Sequence, residues 1–520
     1  MKSVVVLISL ILQLNFLSAQ TTPDALRFSR ITGTGSARSA AMGGAFGALG
    51  GDLSALHINP AGTGVYRKAE VSYTSVLDFS RTDSEGLKGQ SNAYLIGSAG
   101  LASGTYDENN DWRSWGFGIT YNQLANFNQR THQQIADSPT SLTDVYAARS
   151  KGISPEHLNL LGTALFYDAF LTYRTDDGSY HSILETDGVT AELVNQNKST
   201  REKGFLGELA FSFGTNYRDK LYLGAQIGMQ VLNYKMNSYY CEIAEADAPS
   251  LLDYYDFNEY RKLEGAGING KLGVIYRPIP EFRFAAAFHT PTWFGVESTL
   301  ENSVYSQFTT ETDASIGREY PAYEYISSGY DGYNDPDILR FRMRTPWRAV
   351  LSFGTVLAKR LILSADYEYV NYTTTKYNKP RKYAYEEYEE DGIAGEVEAL
   401  SKSMDYAPIN REIKERYRPT HNFRAGAELR LTGFLSLRGG YTYQDSPYKQ
   451  AGKQGKIQAV SGGFGFNYDI FFCDAAFTQK LMKDRSQFYN ENGITASPVN
   501  NKQRNNEFKL TIGVKIPTLF

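Results

Sequence analysis

Apolar and polar residues alternate with a period of two along much of this chain, the pattern of strands with one face in an apolar medium. Over Leu221–Val231, Leu221, Leu223, Ala225, Ile227, Met229 and Val231 fall on one face, and Tyr222, Gly224, Gln226, Gly228 and Gln230 on the other. Phe423, Ala425, Ala427, Leu429 and Leu431 oppose Arg424, Gly426, Glu428 and Arg430 in the same way, and Phe508, Leu510, Ile512, Val514 and Ile516 oppose Glu507, Lys509, Thr511 and Lys515. Fourteen such segments are read, near 70–81, 89–100, 113–132, 203–216, 219–241, 262–277, 280–305, 336–356, 359–376, 417–431, 434–446, 456–468, 469–482 and 505–520. Several run to about 10 residues or more, the length a tilted strand needs to cross a bilayer, whereas strands of a soluble sandwich average about 5–6. Charged residues on the second face suit a wet lumen, and Trp115, Tyr121, Tyr441 and Tyr443 near segment ends suit an interfacial girdle.

The connections carry independent information. After the third segment they alternate long (133–202, 242–261, 306–335, 377–416, 447–455, 483–504) and short, as at Asn216–Asp219, Arg277–Pro280 and Leu431–Phe434. Long extracellular loops and short periplasmic turns give that rhythm, and an even strand number places both ends of the barrel in the periplasm. The expected fold is therefore all-β, a 14-stranded antiparallel transmembrane β-barrel spanning 70–520. The terminal Phe520 continues the apolar row of Phe508, Leu510 and Ile512, and resembles the signal by which barrel-assembly machinery selects its clients.

Composition and termini narrow the class. Lys2, the apolar run Val4–Leu12 and the small residues Ser18-Ala19 have the layout of a secretory signal peptide, residues 1–19, too short to span a bilayer as an anchor. A mean hydropathy of −0.41 is too polar for a helical membrane bundle. A net charge of −4 lacks the basic footprint of a nucleic-acid partner. Two distant cysteines, Cys241 and Cys473, exclude a disulfide framework and read as free thiols.

Residues 20–69 differ in kind. Ser36–Asp52 is rich in glycine and alanine and does not alternate; it fits a short, closely packed helix and a glycine turn. Asn59-Pro60-Ala61-Gly62 follows, with Pro60 ending any helix before it and the glycines allowing a tight turn into the first strand. A small Gly/Ala-rich segment, an aspartate and Asn-Pro-Ala just ahead of a barrel resembles the FadL/TodX family of outer-membrane transporters of hydrophobic compounds. The resemblance implies a fourteen-stranded barrel plugged by an N-terminal hatch, with Asn59, Pro60 and Ala61 in the hatch motif. It also implies a hydrophobic small-molecule ligand, long-chain fatty acid-like or aromatic, and passage through the wall of a Gram-negative outer membrane among its lipids. In that family the third strand is kinked for lateral exit. Here alternation is clean from Trp115 to Tyr121 and slips at Asn122, Gln123, Leu124 and Ala125. The slip reads equally as a kink that opens the wall or as the end of the strand.

The remaining constellations are weaker. His57, His132, His157, His181, His289 and His421 show no metal-ligand spacing, and no cofactor is expected. His57 reads as a structural plug residue, with haem uptake the sharper alternative. The oxygen-rich loop Tyr330–Asp337 and the acidic run Glu386–Asp391 read as solvated loops rather than calcium sites. No nucleophile elbow, His-Glu-x-x-His or phosphate loop occurs, so no enzyme is expected. The alternatives to transport are a type IX secretion-associated interaction protein, a haem-uptake receptor, a general porin and an enzyme on the barrel rim.

Overall fold

The computed structural model describes residues 21–33, 35–186, 190–244, 252–308, 323–326, 337–380, 404–450 and 454–516. The signal peptide, Phe520, the acidic run and all but Asp337 of the oxygen-rich loop lie outside the described residues. Fourteen antiparallel strands form one closed barrel. They are β1 (Ala69–Ser84), β2 (Leu87–Tyr106), β3 (Trp112–Asn126 and Gln129–Ser138), β4 (Val194–Tyr217), β5 (Leu221–Ala244), β6 (Leu252–Ile279), β7 (Phe282–His289 and Trp293–Phe308) and β8 (Asp337–Arg344 and Arg348–Leu357). The remainder are β9 (Leu361–Asn371), β10 (Pro419–Arg430), β11 (Leu435–Gln444), β12 (Ile457–Tyr468), β13 (Phe471–Ser486) and β14 (Val499–Ile516). Each pairs with the next, and β1 closes on β14 from Ala69–Ile516 to Ser84–Asn501.

The alternation read from the sequence maps onto the two faces of the wall. Leu223, Ile227, Met229 and Val231 of β5 point outward and are exposed, while Tyr222, Gln226 and Gln230 are buried toward the lumen. Phe508, Leu510 and Ile512 are outward on β14, with Glu507, Lys509 and Thr511 inside. The short turns are tight. Arg218 and Asp219 both take left-handed φ values, 54° and 55°, and Asn216 Oδ1 accepts from Asp219 N at 2.8 Å, so the tight turn Arg218-Asp219-Lys220 joins β4 to β5. Cys241 and Cys473 are unpaired.

Three elements differ from the sequence reading for identifiable reasons. Strand β6 begins ten residues before 262, because its upper part buries Tyr255 and Phe257 on the inward face and turns Asp256 and Asn258 away. Above the bilayer the apolar face looks in rather than out, so the sense of the alternation reverses. The cause is the 139–193 loop, which folds as α3 (Leu142–Ser150), α4 (Thr163–Asp168) and a small hairpin, Thr172–Arg174 with Tyr180–Ser182. Its Tyr146 and Phe166 stack at 3.8 Å and pack on Phe257. Strands β7 and β8, each read as one run, are both broken, at Thr290-Pro291-Thr292 and Thr345-Pro346-Trp347. Proline has no N–H for the ladder. Threonines close the gap: Thr290 N donates to Gly270 O at 2.9 Å, Thr345 N donates to Thr292 O at 3.0 Å, and Thr292 N donates to Thr345 Oγ1 at 2.8 Å.

Candidate functional site: the plug, its seat and the break in the third strand

Residues 21–66 fill the lumen as a chain of short elements: α1 (Thr22–Arg27), α2 (Ala37–Ala41) and two 3-10 helices, Leu53–His57 and Pro60–Val65. Each begins on a side-chain cap. Thr21, Ser36, Asp52 and Asn59 accept from the backbone N–H of Asp24, Ser39, Ser54 and Ala61. Elements of one or two turns have little helical stability of their own. Caps and contacts with the wall therefore fix the plug's shape. Asp52 clasps two of its turns, accepting from Ser36 Oγ at 2.7 Å and Ser54 Oγ at 2.6 Å.

The Asn-Pro-Ala-Gly motif lies toward the short-turn end of the barrel, against β5 and β6. Asn59 Oδ1 accepts from Ala61 N at 3.0 Å, and its Nδ2 donates to Gly47 O at 2.8 Å and to Val274 O of β6 at 3.3 Å. One amide thus caps a helix, clasps the glycine turn and touches the wall. Pro60 occupies the first helical position, where its missing N–H costs nothing. Ala61 is wholly buried. Gly62 meets Gly50, where a Cβ would come within 3.3 Å of the facing Cα.

The wall receives this backbone on glycines. A Cβ on Gly224 would lie 2.3 Å from Pro60 C and O, one on Gly273 1.9 Å from Asn59 Oδ1, and one on Gly440 2.2 Å from Gly43 N. Wall side chains complete the seat by hydrogen bonding. Asp366 accepts from Phe46 N and Gly47 N at 3.1 and 3.2 Å, Thr442 donates to Gly43 O at 2.8 Å, and Thr511 accepts from Ala37 N at 2.8 Å.

Ion pairs join plug and wall at separate places. Arg38 Nε donates to Glu428 Oε2 at 2.8 Å, and Glu428 is shared with Arg438 at 2.8 Å. His57 Nδ1 lies 2.8 Å from Glu208 Oε1 and 2.7 Å from Lys271 Nζ; Glu208 pairs with Lys271 and accepts from Gln230 at 2.9 Å and Asn269 at 3.0 Å. Burial, and then the Lys271 ammonium, push the His57 pKa below its ordinary value against the pull of Glu208, so the ring is neutral. Asp24 of α1 pairs with Arg27 and with Arg261, the latter at 2.7 Å. Burial raises its pKa, but the two guanidiniums outweigh that and hold the carboxyl below the usual range. Among the described residues no group of three His, Cys, Asp or Glu side chains is placed to hold a metal ion.

A buried apolar cluster fills part of the upper lumen. Leu206, Leu232, Tyr234, Leu263, Phe294 and Phe341 belong to one buried cluster that also takes in Ala25, Leu26 and Phe28 of the plug. Phe28, Phe127 and Tyr234 form an edge-to-face trio with centroids 5.5–5.7 Å apart. Two cavities meet at α1, since Pro23 and Arg27 line both. One, of about 410 Å³, lies beneath the 139–193 loop among Tyr146, Arg149, Lys198 and Phe257. The other, of about 280 Å³, lies on the far side of α1 among Leu26, Arg30, Ala125, Phe127, Lys480 and Glu507.

The second cavity touches the wall where β3 departs from its ladder. Pairing between β2 and β3 runs from Tyr106–Ser114 to Ser98–Asn122, and among the described residues no further β2–β3 pair follows. On the other side, Gln123 pairs with Gly207 and Ala125 with Leu206, so Leu124 is an extra residue. The carbonyl of Leu124 turns to the plug and accepts from Thr32 N at 2.9 Å and Gly33 N at 2.8 Å. The buried amide of Asn122 has no hydrogen-bond partner. Of the four residues singled out at the slip, Leu124 is thus the bulge, Gln123 and Ala125 flank it, and Asn122 closes the β2 ladder. The structure keeps these apart from Asn59–Gly62, which sit lower against β5 and β6. Sequence reasoning missed Thr32, Gly33 and Phe28, whose partners are far away in sequence. Glu208 and Lys271 carried a usable signal, since both are charges on the inward parity of their strands.

The sequence matches no family model and no curated protein sequence. Solved structures are similar in fold. The crystal structure of a Pseudomonas aeruginosa FadL homologue aligns with a TM-score of 0.53 at 13% identity, covering 94% of this chain and 99% of the other. That of the Pseudomonas putida toluene transporter TodX aligns with a TM-score of 0.50 at 11% identity, with the same coverage. In strand number and closure, the chain has the fold of the FadL/TodX barrels.

Proposed function

We propose that this protein carries hydrophobic small molecules across the outer membrane of a Gram-negative cell. The molecule enters the cavity under the 139–193 loop, passes α1 into the second cavity, and leaves sideways through the wall between β2 and β3. The observation that carries this reading is the contact between that second cavity and the break: Ala125, Asn126 and Phe127 line both. The buried apolar cluster around Phe28, which closes the lumen beside these cavities, supports an apolar cargo over the open polar channel of a porin. The fold shared with the FadL homologue and the toluene transporter supports the same class. Arg30 lines the second cavity with a buried Nη2 that has no hydrogen-bond partner, whereas Lys480 there is paired with Glu507. The unused guanidinium donor favours an apolar molecule with an acidic head, in the manner of a fatty acid, over a bare aromatic hydrocarbon.

The plug motif Asn59–Gly62 acts in this reading as the fixed base of the hatch, and the backbone of Thr32 and Gly33 as the stopper of the break. Deleting Leu124 removes the extra residue and restores one-for-one pairing with β4. The expected result is a barrel that still folds, shown by heat-modifiable gel mobility, but no longer delivers a long-chain fatty acid into liposomes. Undiminished uptake refutes the lateral route. Uptake of sugars but not of apolar compounds by the unaltered protein replaces the whole reading with that of a porin.

A further inference from the structure

The broken strands β7 and β8 leave a concavity on the outside of the barrel. It has a volume of about 670 Å³ and is lined by Ile268, Trp293, Gly295, Arg340, Arg342 and Arg344. The groove lies beside the Pro291 and Pro346 breaks, where the upper parts of β7 and β8 pair. Gly295 forms part of its floor, with nothing within 4 Å of where a Cβ would stand.

The groove's height follows from the outward residues. On β7 these are apolar from Phe282 through Phe284 and Phe288 to Trp293, and then give way to Gly295 and Glu297. On β8, Leu357, Phe353 and Leu351 give way to Arg344, Arg342 and Arg340. Eleven residues of tilted strand separate Phe282 from Trp293, a rise on the order of 25–30 Å, which matches the apolar band of such barrels. The arginines therefore stand where the hydrocarbon of the outer leaflet ends. Ile268 and Trp293 pair in register, and Trp293 pairs with Arg344, so apolar side chains and Arg344 stand side by side at one end of the groove; Glu264 and Glu297, which also line it, are paired with Lys262 and Arg340.

The charges are only partly spent. Arg340 pairs with Glu297 at 2.8 Å. Arg342 donates to Lys379 O at 2.6 Å and Arg344 to Thr374 O at 3.3 Å, and among the described residues neither meets a carboxylate. Arg344 Nε is buried without a hydrogen-bond partner. Lys376 adds a cation by pairing with Arg344 across the β8 edge. Planar guanidiniums with unused donors at a lipid interface are suited to phosphate oxygens.

We infer that this groove is a binding site for a phosphorylated lipid of the outer leaflet. Its acyl chains lie on Ile268 and Trp293, and its phosphate lies on Arg342 and Arg344. The inference rests on the outer-membrane reading of the barrel but not on the transport route. The test is native mass spectrometry of the full-length protein released from micelles doped with lipid A, or with the same lipid lacking its phosphates. The unaltered protein is expected to retain one phosphorylated lipid. Arg342→Ala combined with Arg344→Ala should weaken retention roughly 30-fold. Arg81→Ala with Arg504→Ala, removing two outward arginines that face each other across β1 and β14, should leave it unchanged. Equal retention in the two double variants, or of the lipid without phosphates, overturns the inference. Binding that appears only after deletion of 386–391 also overturns it, in favour of that acidic run as the occupant. Heat-modifiable mobility and outer-membrane fractionation report separately on the barrel reading, so the two failures are distinguishable.

Discussion

Asn59 offers a direct measure of how firmly the plug is held. Replacing it with alanine removes a helix cap, which costs about 1 kcal/mol, and strands the buried carbonyl of Gly47, which costs about 1–3 kcal/mol more. The two bonds concerned are short, 3.0 Å to Ala61 N and 2.8 Å to Gly47 O, and Asn59 itself is 2% exposed. The sum of about 2–4 kcal/mol should raise the open fraction of the plug roughly 30- to 1,000-fold. Hydrogen exchange of the amides of 36–66 in the detergent-solubilised protein reads this opening, with the β5 and β6 ladder amides as internal reference. Asn59→Asp separates the two contributions. The new carboxyl still accepts from Ala61 N, but when ionised it sets a second oxygen against Gly47 O. Protonated, it donates there as the amide does. The folded plug thus raises the pKa of this carboxyl, so its penalty is absent at low pH and grows as pH rises above about 4. Plug exchange in Asn59→Asp should accordingly approach the unaltered rate at pH 4 and the alanine rate at pH 8. Unchanged exchange in Asn59→Ala, or faster exchange spread equally over the strands, refutes the assignment of Asn59 as the clasp.

Other substitutions probe the seat at separate points. Gly224→Ala drives a methyl into the Pro60 carbonyl and should destabilise plug closure by about 1–3 kcal/mol in the same exchange assay, whereas Gly439→Ala, which meets nothing within 4 Å, should not. Glu428→Ala leaves Arg38 without its carboxylate and Arg438 with Asp474 alone and should cost about 3 kcal/mol, read as a lower thermal transition in detergent; Arg38→Ala should cost less, because Glu428 keeps Arg438. The lowered pKa of His57 means that the closed plug holds the neutral ring while the open one protonates near pH 6.5. Plug closure should therefore weaken as pH falls below about 6.5, by at most about 1.4 kcal/mol per pH unit, and His57→Gln should remove that dependence.

The wall was largely legible because a membrane imposes one rule on every strand. Apolar residues must face outward at every second position, so Leu223 to Val231 and Phe508 to Ile512 declared both their strands and their facing. The rule lapses above the bilayer, and there the reading failed: Tyr255 and Phe257 alternate in the opposite sense because the folded 139–193 loop rather than lipid covers the barrel. The slip at Asn122–Ala125 was visible as a broken period, but its meaning was not. That meaning lies in Leu124 O bonding to Thr32 and Gly33, roughly ninety residues earlier in the chain. The proline breaks in β7 and β8 were likewise present in the sequence. They were read as single strands because the apolar parity resumes across each break.

The division of the lumen gives the plug two kinds of attachment with different consequences. Below α1 it is held by hydrogen bonds to Asp366, Thr442 and Thr511 and by backbone packing on glycines. Each such bond exchanges for water at a net cost of only about 0.5–1.5 kcal/mol, but they are many and depend on shape, so they release together or not at all. Above, beside the Asp24–Arg261 and Arg27–Glu202 pairs that tie α1 to the wall, Leu26 and Phe28 are held by apolar contact with Phe127 and Tyr234. An apolar ligand can replace that contact like for like, at little cost in buried area. A molecule entering between α1 and the wall therefore competes with Phe28 without disturbing the seat. Phe127 follows the Leu124 bulge by three residues, so the side chain freed by that competition adjoins the place where the wall lacks its ladder. On this argument Phe28→Ala loosens α1 and leaves exchange of the Asn59 segment unchanged. Equal loosening of both would show that the plug moves as one body.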